Sequence, residues 1–332
     1  MNLLKQATAE SNTGIPYIDW LISFKIKSIF NCRAICAEIC RRSQSRAKNP
    51  KSKIPMDTIV VSEDRERLRR FYETSSDYKK LLDAHSEEYL QPYIDTVNKY
   101  ARPGSKILDV GCGNGLSAYM LSQHGHWAIG TDISSFFLAD AASLQNSRLK
   151  YQACDALDLP FADRSFDVVC SSELIEHVTD AHRTLSEMMR VLKPGGILVI
   201  LGPNLCSPFW AAIDFAKMAL GRDGRHVWSE TKMQALKWGW GNLVISFRKR
   251  FSSEVNFIYR KPDLEKASRG GDSDSAYYAS PIDLERFLKA HDMQIASLCE
   301  SSTLRGRVLA KLFPRFSLYI SMVARKNEYP TA

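Results

Sequence analysis

Short apolar runs alternate with segments of helical spacing in the middle of this 332-residue chain. Each run has the length and composition of a buried strand, and the segments between most of them have the periodicity of a helix. Strands that alternate with helices in this way form parallel sheets, so the pattern predicts a mostly parallel, doubly wound α/β sheet with helices on both faces. The five runs are Lys106–Val110, Trp127–Asp132, Leu149–Cys154, Phe166–Cys170 and Gly196–Leu201.

Helical segments precede the runs and connect them. From Asp64 to Ala101 the spacing of apolar residues is helical, with a break near Thr74–Ser76 and a stop at Arg102-Pro103-Gly104. Between the runs, helices are predicted over Gly115–His124, Ser134–Leu144 and Asp180–Leu192, the last closed by the residues from Lys193 to Gly196.

The C-terminal part of the chain returns to the same pattern after an interruption at 203–280. A helix begins at Ser280, where Pro281 suits the first helical position and Asp283 completes a capping box. Two more apolar runs, Met293–Leu298 and Phe316–Ala324, complete a seven-stranded sheet. The predicted parts are a basic tail and linker (1–55), a helical lead-in (56–104), a core (105–202), an insertion after strand five (203–280) and a last helix with two strands (281–326).

The formal net charge of +8 is distributed unevenly along the chain. Residues 1–55 hold ten Lys or Arg against three acids, and residues 222–269 hold eleven against five. Any capacity for polyanions therefore lies in the tail and in one internal segment. In the tail, residues 18–39 combine apolar and basic side chains, which predicts either an amphipathic helix on an anionic membrane or a docked helix or disordered tail.

The apolar runs and the cysteines predict a cytoplasmic location. No run approaches the roughly 18–20 residues needed to span a bilayer, and residues 1–14 lack the charged-then-apolar layout of a secretory signal. The eight cysteines have no disulfide-framework spacing, which is typical of a reducing compartment. The sequence assigns no metal ligands and leaves the oligomeric state open.

A glycine-rich loop follows the first predicted strand and runs into a helix. The segment Asp109-Val110-Gly111-Cys112-Gly113-Asn114-Gly115 lets the backbone turn sharply, and the helix start beyond it offers free N–H groups to a ligand. Leu116 stands where the dinucleotide pattern GxGxxG requires its last glycine, which disfavours a nicotinamide dehydrogenase.

Three acidic residues follow three successive predicted strands at equal spacing. Asp109 lies at the first strand, Asp132 ends the second and Asp155 follows the third. The carboxyl ends of parallel strands meet at one edge of the sheet, where doubly wound folds bind their ligands. We therefore expect one ligand site there, with Asp132 placed to accept both hydroxyls of a ribose.

These motifs resemble those of the class I S-adenosylmethionine-dependent methyltransferases, and within that class the type 11 group of small-molecule enzymes. The resemblance covers residues 105–202 and consists of ILDVGCGNG, GTDIS, CDALDLPFADRSFDVV, SSELIEHV and RVLKPGGILVI in the family's order. It implies a Rossmann-like fold and S-adenosylmethionine as the cofactor of the core.

The resemblance also implies roles for individual residues around S-adenosylmethionine. Asp109 would lie beside the amino group, Asp132 would hold the ribose hydroxyls and Asp155 would bind the adenine amine. The other implied cofactor-binding residues are Gly111, Cys112, Gly113 and Gly115 of the loop, Ile133, Ala156 through its amide, Ser171, and the covering Tyr72 and Tyr78.

Methyl transfer from a sulfonium is an in-line displacement that requires a nucleophile about 3–3.5 Å from the methyl carbon. A base is required only when the nucleophile loses a proton, as a hydroxyl does. His177 and His226 are the candidate catalytic residues. Asp272 and Asp274 lie in a Gly/Asp/Ser-rich stretch, whose composition favours a solvated loop.

The expected function is methyl transfer to a small-molecule acceptor, at a hydroxyl of a sugar, a polyketide or a lipid-linked intermediate, with residues 203–280 forming the acceptor pocket. A quinone-type carbon methyltransferase is the main alternative. An RNA-directed methyltransferase is disfavoured, since Ser171-Ser172-Glu173-Leu174 stands where base-methylating enzymes resemble Asn/Asp-Pro-Pro-Tyr. The non-enzymatic alternative is a cofactor-binding docking module.

Overall fold

The computed structural model describes residues 56–221, 229, 231–267, 272–298 and 311–328. The predicted tail at 1–55, with its membrane segment 18–39, lies outside the described residues, as does the candidate catalytic residue His226. None of the helices in the described part combines the length and the apolar character that crossing a bilayer requires.

Three helices precede the sheet, as the apolar spacing predicts. They are α1 (Met56–Thr74), α2 (Ser76–Asp83) and α3 (Glu87–Tyr100). Ser75 separates the first two, because its backbone is extended and its side chain caps α2 by accepting a hydrogen bond from Tyr78 N at 3.2 Å. Helix α3 ends at Tyr100, and its C-cap Ala101 directly precedes the predicted stop at Arg102.

The sheet contains the seven predicted strands. They are β1 (Lys106–Val110), β2 (Trp127–Asp132), β3 (Leu149–Ala153), β4 (Phe166–Ser172), β5 (Leu192–Pro203), β6 (Met293–Ser297) and β7 (Tyr319–Lys326). The strand order is β3-β2-β1-β4-β5-β7-β6. Strands β1 to β5 pair in parallel, and β7 is antiparallel to both β5 and β6. The predicted mostly parallel, doubly wound fold is confirmed.

Apolar cores lie on both faces of this sheet. Along β1, Leu108 packs in one core with Leu185 and Leu284, while the neighbouring Ile107 packs in the other core with Ile94. The alternation follows from the strand geometry, since successive side chains point to opposite faces. The helices after β1 are α4 (Leu116–Gln123), α5 (Ser135–Leu138), α6 (Ala181–Val191), α7 (Pro208–Ala219), α8 (Lys232–Phe251), α9 (Leu264–Ala267) and α10 (Pro281–Ala290).

Two predicted segments differ from the structure by more than a shift of their ends. The helix predicted over Ser134–Leu144 is the short α5 followed by a separate 3-10 turn at Ala141–Leu144. The predicted helix stop from Lys193 to Gly196 lies inside β5 instead. In the pairing of β5 with β4, residue 192 faces residue 166 and residue 197 faces residue 168, so the residues between them bulge out of the ladder.

The start of α10 has the predicted cap but not the predicted capping box. Ser280 accepts a hydrogen bond from Ile282 N at 3.3 Å, and a proline follows it at the first helical position. The Asp283 carboxylate instead binds the Lys249 ammonium of α8, and it also accepts from Tyr277 OH at 3.2 Å. The reason is burial: Lys249 is almost fully enclosed, and a buried ammonium needs a carboxylate partner.

Candidate cofactor and acceptor site

The loop after β1 makes a tight turn that favours glycine at residue 111. Gly111 has a φ of +75°, and a Cβ there would lie 2.8 Å from Leu174 Cδ1. The N–H groups of Gly111 and Cys112 both donate to the carbonyl oxygen of Thr131, at 2.7 and 2.8 Å. The loop is therefore fixed to the end of β2, and Leu174 packs against it at the position that a side chain of residue 111 would occupy.

Asp109 is the buried carboxylate of this edge of the sheet. It accepts hydrogen bonds from Tyr93 OH at 2.6 Å and from Ser117 Oγ at 2.5 Å. Burial raises the pKa of Asp109 to about 6, although both hydrogen bonds act in the opposite direction. The side chain is thus held rigidly by α3 and α4 at the base of the glycine loop.

Asp132 ends β2 and ties two backbone segments together. Its Oδ2 accepts from Gly113 N at 2.9 Å and its Oδ1 accepts from Ser134 N at 3.0 Å. Burial raises the pKa of Asp132 to about 6, opposed by these backbone hydrogen bonds. Backbone N–H groups therefore use part of the acceptor capacity of this carboxylate, which has about four acceptor sites in all.

Asp155 follows β3 and is bound by the lead-in helix α1. The Arg65 side chain reaches its Oδ2 with Nε at 2.8 Å and Nη2 at 2.7 Å. The Oδ1 atom accepts from Leu157 N, two residues further on, at 2.8 Å. A ligand group at this carboxylate therefore meets the Arg65 guanidinium.

A cleft of about 1160 Å³ opens at this edge of the sheet. The predicted site residues that line it are Tyr72, Tyr78, Asp109, Gly111, Cys112, Gly113, Asp132, Ile133, Asp155, Ala156 and His177. Gly115 and Ser171 are not among its lining residues. A Cβ at Gly115 would lie 2.6 Å from the Tyr151 ring, and Ser171 is buried within β4 while Ser172 faces the cleft. Side chains alternate along a strand, so a shift of one residue changes the side.

His177 lies among buried carboxylates. Its Nδ1 is 3.2 Å from Asp274 Oδ2, and its Nε2 is 3.5 Å from Glu176 Oε1. Asp274 also accepts a hydrogen bond from Tyr72 OH at 2.8 Å. Burial lowers the pKa of His177, but Asp274 and Glu176 outweigh burial and raise it to about 10. His177 is therefore a cation at neutral pH.

The expectation of a solvated loop at Asp272 and Asp274 is wrong. Asp274 is only 1% exposed and Asp272 is partly buried. The reason is backbone docking: the N–H groups of Ala276 and Tyr277 both donate to the Glu176 carbonyl oxygen, at 2.8 and 2.9 Å. Burial raises the pKa of Asp272, whereas the nearby imidazolium keeps that of Asp274 below its usual value against the effect of burial.

The sequence does not single out Glu173, which the structure places in the lining of the cleft. Its φ of +53° is uncommon for a residue other than glycine, and such conformations cluster at functional sites. Burial raises the pKa of Glu173 to about 7, with Asp272 acting in the same direction and His177 opposing. The sequence could have indicated Glu173 by its position, since it follows the fourth strand as Asp109, Asp132 and Asp155 lie near the ends of the first three.

One group among the described residues has the geometry to hold a metal ion. Glu176, His177 and Asp272 each offer a ligand atom, and these atoms lie within 4.8 Å of one another. Both Glu176 oxygens are buried without a hydrogen-bond partner. A divalent cation or protons could neutralise this cluster. Burial raises the pKa of Glu176 well above its usual value, and the neighbouring acids raise that of His177, so the cluster has to take up protons or a cation.

Comparison with known proteins identifies the core segment. Residues 108–200 match the family model described as a methyltransferase domain. O-methyltransferase resE of Aspergillus sclerotiorum is 32% identical over 149 residues, which cover 40% of this chain and 56% of the relative. A demethylmenaquinone methyltransferase of Beutenbergia cavernae is 39% identical over 114 residues, covering 34% and 46%. The chain thus spans about half the length of the curated relatives it matches.

Among solved structures, an S-adenosylmethionine dependent methyltransferase from Mesorhizobium loti aligns with a TM-score of 0.48 and 20% identity, covering 74% of this chain and 100% of that one. The order and directions of the strands are those of the Rossmann-like class I methyltransferase fold. Within that class, the segment 108–200 belongs to the S-adenosylmethionine-dependent type 11 group. The resemblance stated from the sequence motifs is confirmed for this segment.

Proposed function

We propose that the protein transfers a methyl group from S-adenosylmethionine to a hydroxyl of a small-molecule acceptor, on a sugar, a polyketide or a lipid-linked intermediate. The methyltransferase domain at 108–200 supports the reaction class. The observation that carries the hydroxyl acceptor is Glu173, a carboxylate in the lining of the cleft whose pKa is raised to about 7. Methylation of a hydroxyl needs such a proton acceptor.

The residues beside the glycine loop fit S-adenosylmethionine through the groups that they offer. Asp132 is proposed to accept from the ribose hydroxyls, as the family resemblance implies, in addition to the backbone N–H groups that it already binds. Asp155 and the Ala156 amide are proposed for adenine, and Asp109 for the amino group. Gly111 is proposed to approach the cofactor through its main chain, and the absence of a side chain lets Leu174 pack against the loop.

When bound, S-adenosylmethionine supplies an electrophilic methyl group on a sulfonium. The protein then has to hold the acceptor oxygen in line and take up its proton. Glu173 is suited to take the proton, because an effective base has a pKa near the operating pH. His177 carries a proton already at neutral pH, so its proposed role is to keep the pKa of Glu173 from rising further.

The pH dependence of turnover tests the role of Glu173. Its carboxyl must be ionised to accept a proton, so kcat/KM is expected to rise as the pH increases through about 7. Glu173→Gln removes the ionisation, and we expect about 100-fold slower transfer and the loss of this acidic limb. The matched control is Glu265→Gln, an exposed glutamate on α9. An unchanged profile in Glu173→Gln would contradict the proposed base.

An acceptor screen tests the hydroxyl itself. The purified full chain is incubated with S-adenosylmethionine labelled in its methyl group and with sugar, polyketide, lipid-linked and quinone-precursor acceptors. Label on an oxygen of one of the first three classes supports the proposal. Turnover of a quinone precursor at carbon, with none at any hydroxyl, would overturn it.

The second candidate is a quinone-type carbon methyltransferase. It is favoured by one observation, the 39% identity to a protein named demethylmenaquinone methyltransferase. The position of the label in the screen separates the two candidates. An RNA-directed enzyme and a cofactor-binding docking module are the remaining alternatives, and the cytoplasmic location and the five-part division of the chain stay predictions.

A further inference from the structure

Helix α8 carries a stripe of exposed apolar side chains. Their exposed fractions lie between 48% and 79%, although large apolar side chains are usually buried. A helix turns about 100° per residue, so these five positions fall within about 60° of one another around the axis. The stripe consists of Met233, Leu236, Trp240, Phe247 and Phe251.

Basic residues flank this stripe on both sides. By the same helical geometry, Lys232 and Arg250 lie along one side, and Lys237 and Arg248 lie along the other. All four are exposed, and the α8 sequence KMQALKWGWGNLVISFRKRF contains no acidic residue. An apolar stripe with cations along both edges is complementary to a surface that has an apolar interior and an anionic outer layer.

The other face of α8 is fixed to the body of the protein. Asn242 Nδ2 donates to the carbonyl oxygens of Leu205 and Ser207 at 2.9 and 3.0 Å, and Ser246 Oγ donates to that of Cys206 at 2.8 Å. The buried ion pair of this helix with α10 adds to this attachment. The stripe therefore faces outward on a helix whose orientation is set by buried polar contacts.

We infer that α8 docks on the surface of an anionic lipid bilayer. The stripe would lie at the boundary of headgroups and acyl chains, and the four flanking cations would meet lipid phosphates. Interfacial helices have this composition, with Trp, Phe and Leu on the buried side and Lys or Arg beside it. The surface is distinct from the tail segment 18–39 that the sequence predicts for membrane contact.

This inference does not depend on the proposed function, since it concerns a surface outside the cleft. The two are connected through Trp238 of α8, whose Nε1 donates to Tyr278 OH at 2.7 Å. Tyr278 lies four residues after Asp274, whose carboxylate contacts His177 of the cleft lining. A membrane-docked α8 would favour the lipid-linked class among the proposed acceptors.

Flotation of the full chain with vesicles tests the surface. We compare vesicles of phosphatidylcholine alone with vesicles that also contain phosphatidylglycerol. The wild type is expected to float with the anionic vesicles, less so in high salt. The variant Trp240→Ser/Phe247→Ser/Phe251→Ser is expected to bind about tenfold or more weakly, because three inserted side chains are lost. Trp127→Ser is the matched control, an exposed tryptophan at the start of β2.

A second variant distinguishes lipid docking by α8 from self-association of the chain. The variant Lys237→Glu/Arg248→Glu keeps the apolar stripe but should also bind anionic vesicles more weakly than the wild type. If the triple variant does not fold, the flotation of this second variant tests the inference. Binding of S-adenosylhomocysteine by each variant reports folding without methyl transfer. The inference is overturned if the wild type does not float, if both variants float like the wild type, or if the wild type is a dimer that the triple variant converts to a monomer.

Discussion

Replacing Asp132 by alanine perturbs the proposed cofactor site at its central carboxylate. Two ribose hydroxyls would donate to this carboxylate, and hydrogen bonds to a charged group contribute about 1.5–3 kcal/mol each. Water in the place of the side chain recovers part of this, which leaves a net loss of about 2–3 kcal/mol, or about 30- to 150-fold in Kd. The substitution also frees the N–H groups of Gly113 and Ser134.

Calorimetric titration of the full chain measures this loss. The wild type is expected to bind S-adenosylmethionine and S-adenosylhomocysteine but not NADH. Asp95→Ala serves as the control, because Asp95 is exposed on α3 and accepts a hydrogen bond from Gln91. Unchanged affinity in a folded Asp132→Ala protein would refute the ribose assignment, and NADH binding without adenosyl binding would refute the cofactor.

The pH dependence of the same titration provides a second measure. Burial raises the pKa of Asp132 to about 6, so the carboxylate gains a proton as the pH falls through that value. A protonated carboxyl is a weaker acceptor for the hydroxyls than a carboxylate. We therefore expect wild-type affinity to weaken below about pH 6 and the Asp132→Ala protein to show a smaller decline, because Asp109, whose pKa is also raised to about 6, still gains a proton. Parallel curves for both proteins would count against the assignment.

Three further predictions concern the fold and the cluster. Lys249→Met should lower the free energy of unfolding in urea by about 3–5 kcal/mol, since Asp283 loses its buried cation, whereas Lys237→Met on the exposed side of α8 should change it by less than about 0.5 kcal/mol. Gly111→Ala should abolish measurable S-adenosylhomocysteine binding, because a Cβ 2.8 Å from Leu174 and a φ of +75° displace the loop; a normal titration would contradict this. If protons neutralise the cluster of Glu176, His177 and Asp272, EDTA should leave the rate of methyl transfer unchanged. A rate that falls with EDTA and recovers when Mg²⁺ is added would assign a metal ion to the cluster instead.

The sheet could be predicted almost completely from the sequence, and the reason is physical. Buried parallel strands are continuous apolar runs, so 106–110 and 127–132 could be assigned without knowledge of their neighbours. The glycine loop and the acid after each of the first three strands could be predicted equally well, since their positions follow from the ends of the strands. It was harder to predict from the sequence which residues line the cleft. Ser172 of β4 lines it and the neighbouring Ser171 does not, so an error of one residue changes the assignment.

The cluster around His177 could not be predicted, because it depends on contacts between distant parts of the chain. Composition alone suggests a solvated segment at Asp274, but docking on the Glu176 carbonyl buries it. The same holds for Glu173, whose pKa of about 7 results from burial that only the folded chain provides. The prediction that Asp283 caps α10 was wrong for a similar reason, since its carboxylate binds the buried ammonium of Lys249 from another helix.

The attachment of α1 to the cleft has a kinetic consequence. Arg65 and Tyr72 both belong to this helix and line the cleft. Arg65 binds the Asp155 carboxylate, which also lines the cleft, and Tyr72 donates to the buried Asp274. On the proposed assignment of Asp155 to the adenine amine, the amine would share this carboxylate with the Arg65 guanidinium or displace it. The rate of cofactor loading would then depend on how fast the Arg65 contact rearranges.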